Sequence, residues 1–398
     1  MRLARTEAER PGPFGMNSSP KPRVLHVLKS LPLGGIETWL MHVLRNDRGS
    51  PVQHELLLMV EEPGAYEAEA RELGVPIHKL PQTGRWMSWF FELFRFLKEH
   101  GPFDIIHSHP SKVGGPIVAV AALAGVPGRI AHQHDARSTG VDIRTVRESL
   151  LRRATMVLTK LAATRRIGIT EAAIEDIAGK KWRKTKDCTV VLYGFDYSNF
   201  ARAADRARDL RPGLALAPTD HVIGHVGRFD PVKNHEFLLR TFATVAQTDP
   251  NARLVMVGRG RLEPELRTLA EELGIGDRVR FAGSTQDIAA FMALFDLFLF
   301  PSFSEGLGIV CVEAQAAGTR VLASDTVPRE AAVVPGGVDF LPLEAGEKAW
   351  AHRVAELMAM PKPDPQEWRR AVEQGPFGID RCLRDLHEIY REQLRSRA

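Results

Sequence analysis

The chain has 398 residues, a formal net charge of +4, 44% hydrophobic and 26% charged residues. That length allows two domains of ordinary size, the composition is that of a soluble globular protein, and no apolar run reaches the length of a membrane-spanning helix. The three cysteines, Cys188, Cys311 and Cys382, are scattered and odd in number, which excludes a disulfide framework and a C-x-x-C metal site and suits a reducing cytoplasm.

The opening "MRLARTEAERPGPFGMNSSPKP" has basic residues with no apolar core behind them, so it is not a secretory signal. Pro, Gly, Ser and charge dominate residues 1–21, which read as a disordered tail. Short β-rich runs then alternate with helical segments, the pattern of parallel α/β layers. The pattern predicts strands over 23–28, 54–60, 104–109, 128–134, 166–170 and 188–194, and a second set over 221–227, 253–258, 279–283, 296–302 and 320–325. Between the sets lies the polar, Arg-rich "DYSNFARAADRARDLRPGLALAPTD", where we place a linker, 196–220. The expectation is an α/β protein of two doubly wound, Rossmann-like domains, 22–195 and 221–375. In such sheets ligands bind beyond the carboxyl ends of the strands, so two facing units put a ligand in the cleft between them.

In chain order, the first candidate is Gly34-Gly35, in the loop from the first strand to a helix starting near Ile36 or Glu37. Glycine lets backbone N–H groups approach an anion at a helix N-terminus, although a plain tight turn uses the same pair. "RWMSWFFELFRFLKEHG" places Trp86, Trp89, Phe90, Leu93, Phe94 and Leu97 on one helical face, with Phe91 and Phe96 outside it. This face is either core-facing or a contact with a membrane or lipid acceptor. Residues 151–187 hold ten basic side chains, Arg152 and Arg166 among them, against four acids. Such a patch is a solvated face or meets nucleic acid, an anionic membrane or a phosphorylated substrate.

In the second half, Arg228 and Lys233 follow a strand in "HVIGHVGRFDPVKNHEFLL", and two cations there suit a diphosphate. Gly258-Arg259-Gly260 invites a dinucleotide reading, but Glu263 stands where G-x-G-x-x-G needs its third glycine. "FAGSTQDI", with Gly283, is a strand-end loop whose backbone could hold a base. In "FPSFSEGLGIVCVEAQAAG" a strand ends at Pro301, Glu305 lies in the loop, and a helix starting near Gly308 carries Glu313 one to two turns in. The two carboxylates are then separated by roughly 8–12 Å, about the span from the sugar of a nucleotide sugar to its ribose. A diphosphate between them would lie over the helix N-terminus, against Gly306 and the N–H groups of Leu307, Gly308, Ile309 and Val310.

Glu305-x7-Glu313, "GRFDPVK", "GGIE" and "LYGFDYSNF" together resemble the retaining GT-B glycosyltransferases of family 4, over about residues 22–395. The resemblance implies that Glu305 holds donor-sugar hydroxyls, Glu313 the nucleotide ribose, and Arg228 and Lys233 the diphosphate. It also implies that Gly35 approaches the phosphate from the N-terminal domain and that His134, in "RIAHQHD", is the active-site histidine near the sugar. His107, His109 and His132 are rivals of the same type. Residues 376–398, with "FGIDRCLRDLHEIYREQL", look like that family's closing helix, which crosses back to the first domain. The usual Asn-Gly at the domain junction is Tyr193-Gly194 here, a departure that bears on the hinge or acceptor side.

The resemblance further implies transfer without a metal or other cofactor, with retention and a front-face path assisted by the leaving phosphate. The donor is a nucleotide sugar, UDP through the family branch, and the acceptor a glycan or lipid-linked glycan. The setting it implies is the cytoplasm or the cytosolic face of a membrane. The alternative is a nucleotide-sugar epimerase on the same plan, which E-x7-E counts against. A nucleic-acid partner leaves Glu305 and Glu313 unexplained, and none is expected.

Overall fold

The computed structural model describes residues 20–47, 49–134 and 146–395, the side chains of 146–152 excepted. The tail expected at 1–21 lies outside these residues apart from Pro20 and Lys21, and so does the side chain of Arg152 in the basic patch.

Among the described residues, thirteen strands form two sheets. The first contains β1 (Arg23–Leu28), β2 (Gln53–Leu58), β3 (Ile77–Lys79), β4 (Ile105–Ser108), β5 (Gly128–Gln133), β6 (Arg165–Gly168) and β7 (Cys188–Val190). The second contains β8 (His221–Val226), β9 (Ala252–Val257), β10 (Val279–Gly283), β11 (Leu297–Phe300), β12 (Val321–Ser324) and β13 (Val338–Leu341). Their orders are β3-β2-β1-β4-β5-β6-β7 and β10-β9-β8-β11-β12-β13, and every pairing is parallel. Two Rossmann-like units thus face a cleft, the GT-B architecture. Central strands such as "RVLHVL" and "LFLF" are buried along almost their whole length, because helices cover both faces of a parallel sheet. The edge strands β3 and β13 fall outside the predicted set. "IHK" and "VDFL" are short and half-buried, so pairing with a neighbour makes them strands, not a run of their own.

The 196–220 stretch is largely helical. Helix Ala203–Gly213 packs on helix Ile288–Leu294 beside the second sheet, and Arg206 Nε donates to Asp287 Oδ2 at 2.7 Å. The C-terminal helix, Ile379–Arg395, lies against the first domain, where Trp39 Nε1 donates to Cys382 Sγ at 3.3 Å and Tyr390 Oη meets His107 Nδ1 at 3.0 Å. Gly194 lets it in: a Cβ there would sit 2.3 Å from Cys382 Cβ. A single apolar cluster runs from Leu40 and Tyr193 through Phe300 and Leu307 to Leu386 and Ile389, so both units and the closing helix share a core.

Helix Trp86–His100 turns Trp89, Leu93, Phe96 and Leu97 into the core and leaves Trp86, Met87 and Phe91 exposed. This corrects the expected face at two places, because Phe96 belongs to the core and Trp86 does not. No helix among the described residues is long and apolar enough to cross a membrane.

Candidate active site

Each sheet reverses its strand order once, between β1 and β4 and between β8 and β11. Loops leaving such paired strands open a crevice at their carboxyl ends. In the second sheet those loops carry Lys233 and Glu305. Lys233 Nζ donates to Glu305 Oε1 at 2.6 Å and lies 4.9 Å from the Phe300 ring centroid, and both side chains are largely buried. One backbone bond joins the two loops, Phe303 N–H donating to Val232 C=O at 2.8 Å, and the hydroxyls of Ser324 and Thr326 anchor the Glu305 loop to the end of β12 by donating to Ser302 C=O at 2.6 and 2.7 Å. Arg228 differs from Lys233, since its guanidinium is exposed and its Nε donates to Asp230 Oδ2 at 2.9 Å. The predicted pair of cations is therefore one held at the crevice and one at its rim.

Helix Ile309–Ala316 begins at Gly308, whose φ of +76° is left-handed. A side chain there would be strained and its Cβ would meet Val327 Cγ1 at 3.0 Å. Glu313 is half-buried in this helix, and its carboxylate has no hydrogen-bond or ion-pair partner among the described residues. Burial pushes its carboxyl up to about 7. Across the cleft the Tyr66 phenol is raised, by burial first and by Glu313 in small part, although the hydrogen bond with Thr38 opposes this. Burial, with a smaller contribution from Glu313, also holds the Tyr197 phenol well above its usual range, and its oxygen is buried with no hydrogen-bond partner among the described residues. Tyr66 and Tyr197 carry no sequence signal for this place. Only the fold brings them to Glu313.

Gly35 opens helix Gly35–Asn46, and a Cβ there would come 3.7 Å from Ile309 Cδ1. The glycine-rich loop of the first domain therefore faces the N-terminus of the Glu313 helix. Gly258 has φ +145°, and a Cβ there would overlap Gly227 C=O at 1.9 Å. Its N–H donates to Gly283 C=O at 2.8 Å, so the two glycines stack the loops after β8, β9 and β10 on one another.

The first sheet contributes histidines. β1 aligns His26 with His107 of β4, and alternation puts His107 with His109 and His132 with His134 on one side. All are buried, and burial lowers each well below the usual imidazole range, with neighbouring rings adding to it for all but His134, which falls to about 3. His26–His107–His109 and His109–His132–His134 each bring three ring nitrogens within 4.8 Å. Most of those nitrogens already bond one another, with His109 Nδ1 to His134 Nε2 at 2.9 Å and His107 Nε2 to His132 Nδ1 at 3.1 Å. The bonds form two runs, His26–His109–His134 and His107–His132, which engage most of these nitrogens with one another. His134 Nδ1 meets Tyr193 Oη at 2.5 Å, and Tyr193 stacks on Trp39 with centroids 5.0 Å apart. The Tyr193 that replaces the usual Asn is thus the partner of the candidate histidine.

In the basic patch, Arg166 is buried against Asp187, Arg165 pairs with Glu392 at 3.3 Å, and Arg183 pairs with Glu171, while Lys180, Lys181, Lys184 and Lys186 remain exposed.

The sequence pattern described as "Glycosyl transferases group 1" matches residues 207–375, the segment that carries Arg228, Lys233, Glu305 and Glu313. The chain is also 32% identical over 378 residues to EpsF of Bacillus subtilis (strain 168), a protein to which glycosyltransferase activity is assigned, covering 94% of this chain and 97% of that one. The chain belongs to this glycosyltransferase family. It is 32% identical over 293 residues to a D-inositol 3-phosphate glycosyltransferase of Mycobacterium sp. (strain KMS), 69% of this chain and 62% of that enzyme. Among solved structures, Anabaena HepE in complex with UDP superposes with a TM-score of 0.77 at 21% identity, over 93% of this chain and all of that one. A glycosyltransferase from Rickettsia africae ESF-5 gives 0.76 at 15% identity, over 94% and 99%. These two likenesses concern the fold. As a glycosyltransferase, the protein is an enzyme.

Proposed function

We propose that this glycosyltransferase moves a sugar from a nucleotide sugar, a UDP-sugar by preference, to a glycan or lipid-linked acceptor, with retention and without a metal. The observation that carries the reading is the Lys233–Glu305 pair beside the N-terminus of the Glu313 helix, facing Gly35 across the cleft. Glu313 is a half-buried carboxylate with no hydrogen-bond or ion-pair partner among the described residues, and ribose hydroxyls would supply the missing donors. HepE, of the same fold, was solved with UDP and with UDP-glucose.

In this reading residues 22–195 carry the acceptor side and 221–375 the donor side, with 376–398 closing the first domain. Lys233, Arg228 at the rim, and the N–H groups of Leu307 to Ile309 face the diphosphate, with Gly306 leaving room beside them. Gly258 and Gly283 shape the floor near the base. As the C1–O bond to the diphosphate breaks, negative charge grows on the leaving oxygen, and Lys233 and the helix N-terminus stabilise it. The acceptor oxygen attacks the same face, and its proton passes to that phosphate oxygen. Glu305 orients sugar hydroxyls and holds Lys233. His134 borders the sugar at the end of β5. The acceptor side includes the exposed Trp86, Met87 and Phe91, which suit an anionic membrane surface. Sedimentation with anionic liposomes at low salt tests this, and protein left in the supernatant counts against it.

Calorimetric titration with UDP, GDP and NAD, without metal, on wild type and Glu313→Ala tests the donor site. Binding of one nucleoside diphosphate, weakened by the substitution, supports the reading. Tight NAD binding, or nucleotide binding untouched by the loss of Glu313, overturns it.

A further inference from the structure

A run of hydrogen bonds leads from His134 through the interior of the first domain to the C-terminal helix. His134 Nε2 meets His109 Nδ1 at 2.9 Å, His109 Nε2 meets His26 Nδ1 at 3.0 Å, and His26 Nε2 meets His54 Nδ1 at 2.9 Å. His54 Nε2 then meets Asp47 Oδ2 at 2.8 Å, and the other carboxylate oxygen, Oδ1, accepts from His387 Nε2 at 2.7 Å. The four rings from His54 to His134 are all buried. Each link joins an ε nitrogen of one ring to a δ nitrogen of the next, so the protons can be ordered in only two ways.

The carboxylate decides between them. A neutral imidazole donates at one nitrogen and accepts at the other. Burial works to raise Asp47, but the hydrogen bonds it accepts from His54 and Ser50 and its closeness to His387 outweigh this and hold its carboxyl below the ordinary range. An ionised carboxylate only accepts, so His54 must present Nε2–H to it. An uncharged His54 then has a lone pair at Nδ1, which takes a proton donated by His26 Nε2–H. The same step repeats at His109 and at His134. The reverse order needs either a bare His54 nitrogen against the carboxylate or a second proton on His54, whose charge the Asp47 carboxylate, already shared with His387, would have to offset inside the core.

We propose that Asp47 is a positioning residue that fixes the tautomer of His134 through three ring-to-ring hydrogen bonds. Every ring in the chain carries its proton on Nε2, and His134 turns its Nδ1 lone pair to the Tyr193 hydroxyl, which donates to it. His134 thereby has both nitrogens bonded and its ring plane fixed at the carboxyl end of β5. Asp47 also takes the His387 bond, so docking of the C-terminal helix and ordering of the chain meet at one carboxylate. This explains why Tyr193 stands at the junction: Tyr193 supplies the hydroxyl donor that the last ring of the chain needs.

Tautomers are read directly by long-range 1H–15N correlation spectra of the full-length protein with 15N-labelled histidine, assigned with single His→Asn variants and recorded without substrate. The proposal expects His26, His54, His109 and His134 all to be neutral with the proton on Nε2. In Tyr193→Phe, His134 keeps that form, because its tautomer is dictated from the Asp47 end. In Asp47→Ala, folded by circular dichroism, the uniform pattern is lost and one or more of the four rings moves its proton to Nδ1. Three results overturn it: Nδ1–H forms in the wild type together with a doubly protonated His54; a switch of His134 in Tyr193→Phe; or an unchanged pattern in folded Asp47→Ala. If Asp47→Ala does not fold, the wild-type and Tyr193→Phe spectra still decide. No nucleotide sugar is used, so failure of the donor reading would leave this result standing.

Discussion

Lys233 Nζ lies 2.6 Å from Glu305 Oε1, and this bond ties the loop after β8 to the loop after β11. The pair sits where the strand order reverses, so a ligand entering that crevice meets a cation already aimed and a carboxylate already oriented. Lys233→Ala should therefore act twice. Leaving a largely buried Glu305 without its partner costs about 1–3 kcal/mol of stability. If Lys233 contacts the diphosphate as proposed, loss of that charge-assisted bond costs roughly 1.5–3 kcal/mol of binding, which is about a 10- to 150-fold weaker Kd. Urea denaturation and UDP calorimetry separate the two. A variant that unfolds earlier but binds UDP normally would make Lys233 a loop tie only.

Glu313 gives the pH dependence. Its carboxyl is at about 7 in the folded protein against 4.5 unfolded. Between these values the native state keeps a proton that the unfolded state has lost, so stability falls as pH rises from about 4.5 to 7. Glu313→Gln has no proton to lose. It should match the wild type near pH 4 and exceed it by roughly 1–3 kcal/mol at pH 8, short of the full shift because the residue keeps some contact with water. Urea midpoints at the two pH values decide it, and parallel profiles would refute the burial argument. Weaker UDP binding by the more stable variant would mark Glu313 as a residue kept for the ligand.

Much of this was legible in the sequence, and the gaps have physical causes. Central parallel strands are buried on both faces, so they stand out as apolar runs. Edge strands such as "IHK" do not, because pairing rather than composition makes them. Glu305, Glu313 and Lys233 could be placed because strand, loop and helix follow one another locally. Tyr66 and Tyr197 could not, since their approach to Glu313 depends on how the two units meet. The H-x-H spacings at 107–109 and 132–134 were open to a same-face reading once the strands were placed, but the sequence offered these histidines only as rivals, and only the register of β1 against β4 adds His26. Asp47 and His54 join through side-chain contacts that no spacing records. The exposure of Arg228 was equally hidden, because Asp230, two residues on, draws it to the rim.

The contact between the closing helix and the domain junction should be intolerant of added volume. A Cβ at Gly194 would lie 2.3 Å from Cys382 Cβ, 2.9 Å from Gly378 C=O and 3.0 Å from Ile379 Cα. Gly194→Ala should destabilise the protein by about 1–3 kcal/mol. Adding Cys382→Gly should recover only part of this, because two of the three close neighbours are backbone. Thermal melts of the single and double variants measure it, and a neutral Gly194→Ala would show that the helix moves aside freely.

Gly35 offers the sharpest separation of folding from function. The Cβ of an alanine at this position would find Ile309 Cδ1 at 3.7 Å, an ordinary contact, and alanine is the better helix former at the start of Gly35–Asn46. Gly35→Ala should thus leave stability within about 0.5 kcal/mol of the wild type. If a diphosphate passes between this loop and the N-terminus of the Glu313 helix, however, the added methyl group occupies space that the phosphate needs. The expected outcome is an unchanged melting temperature with UDP-sugar affinity reduced by about 10-fold or more, equivalent to roughly 1.4 kcal/mol. Paired melting and UDP-glucose titration of one variant give both numbers. Unchanged binding would move the phosphate away from the first domain and leave it to the second domain's helix and Lys233 alone.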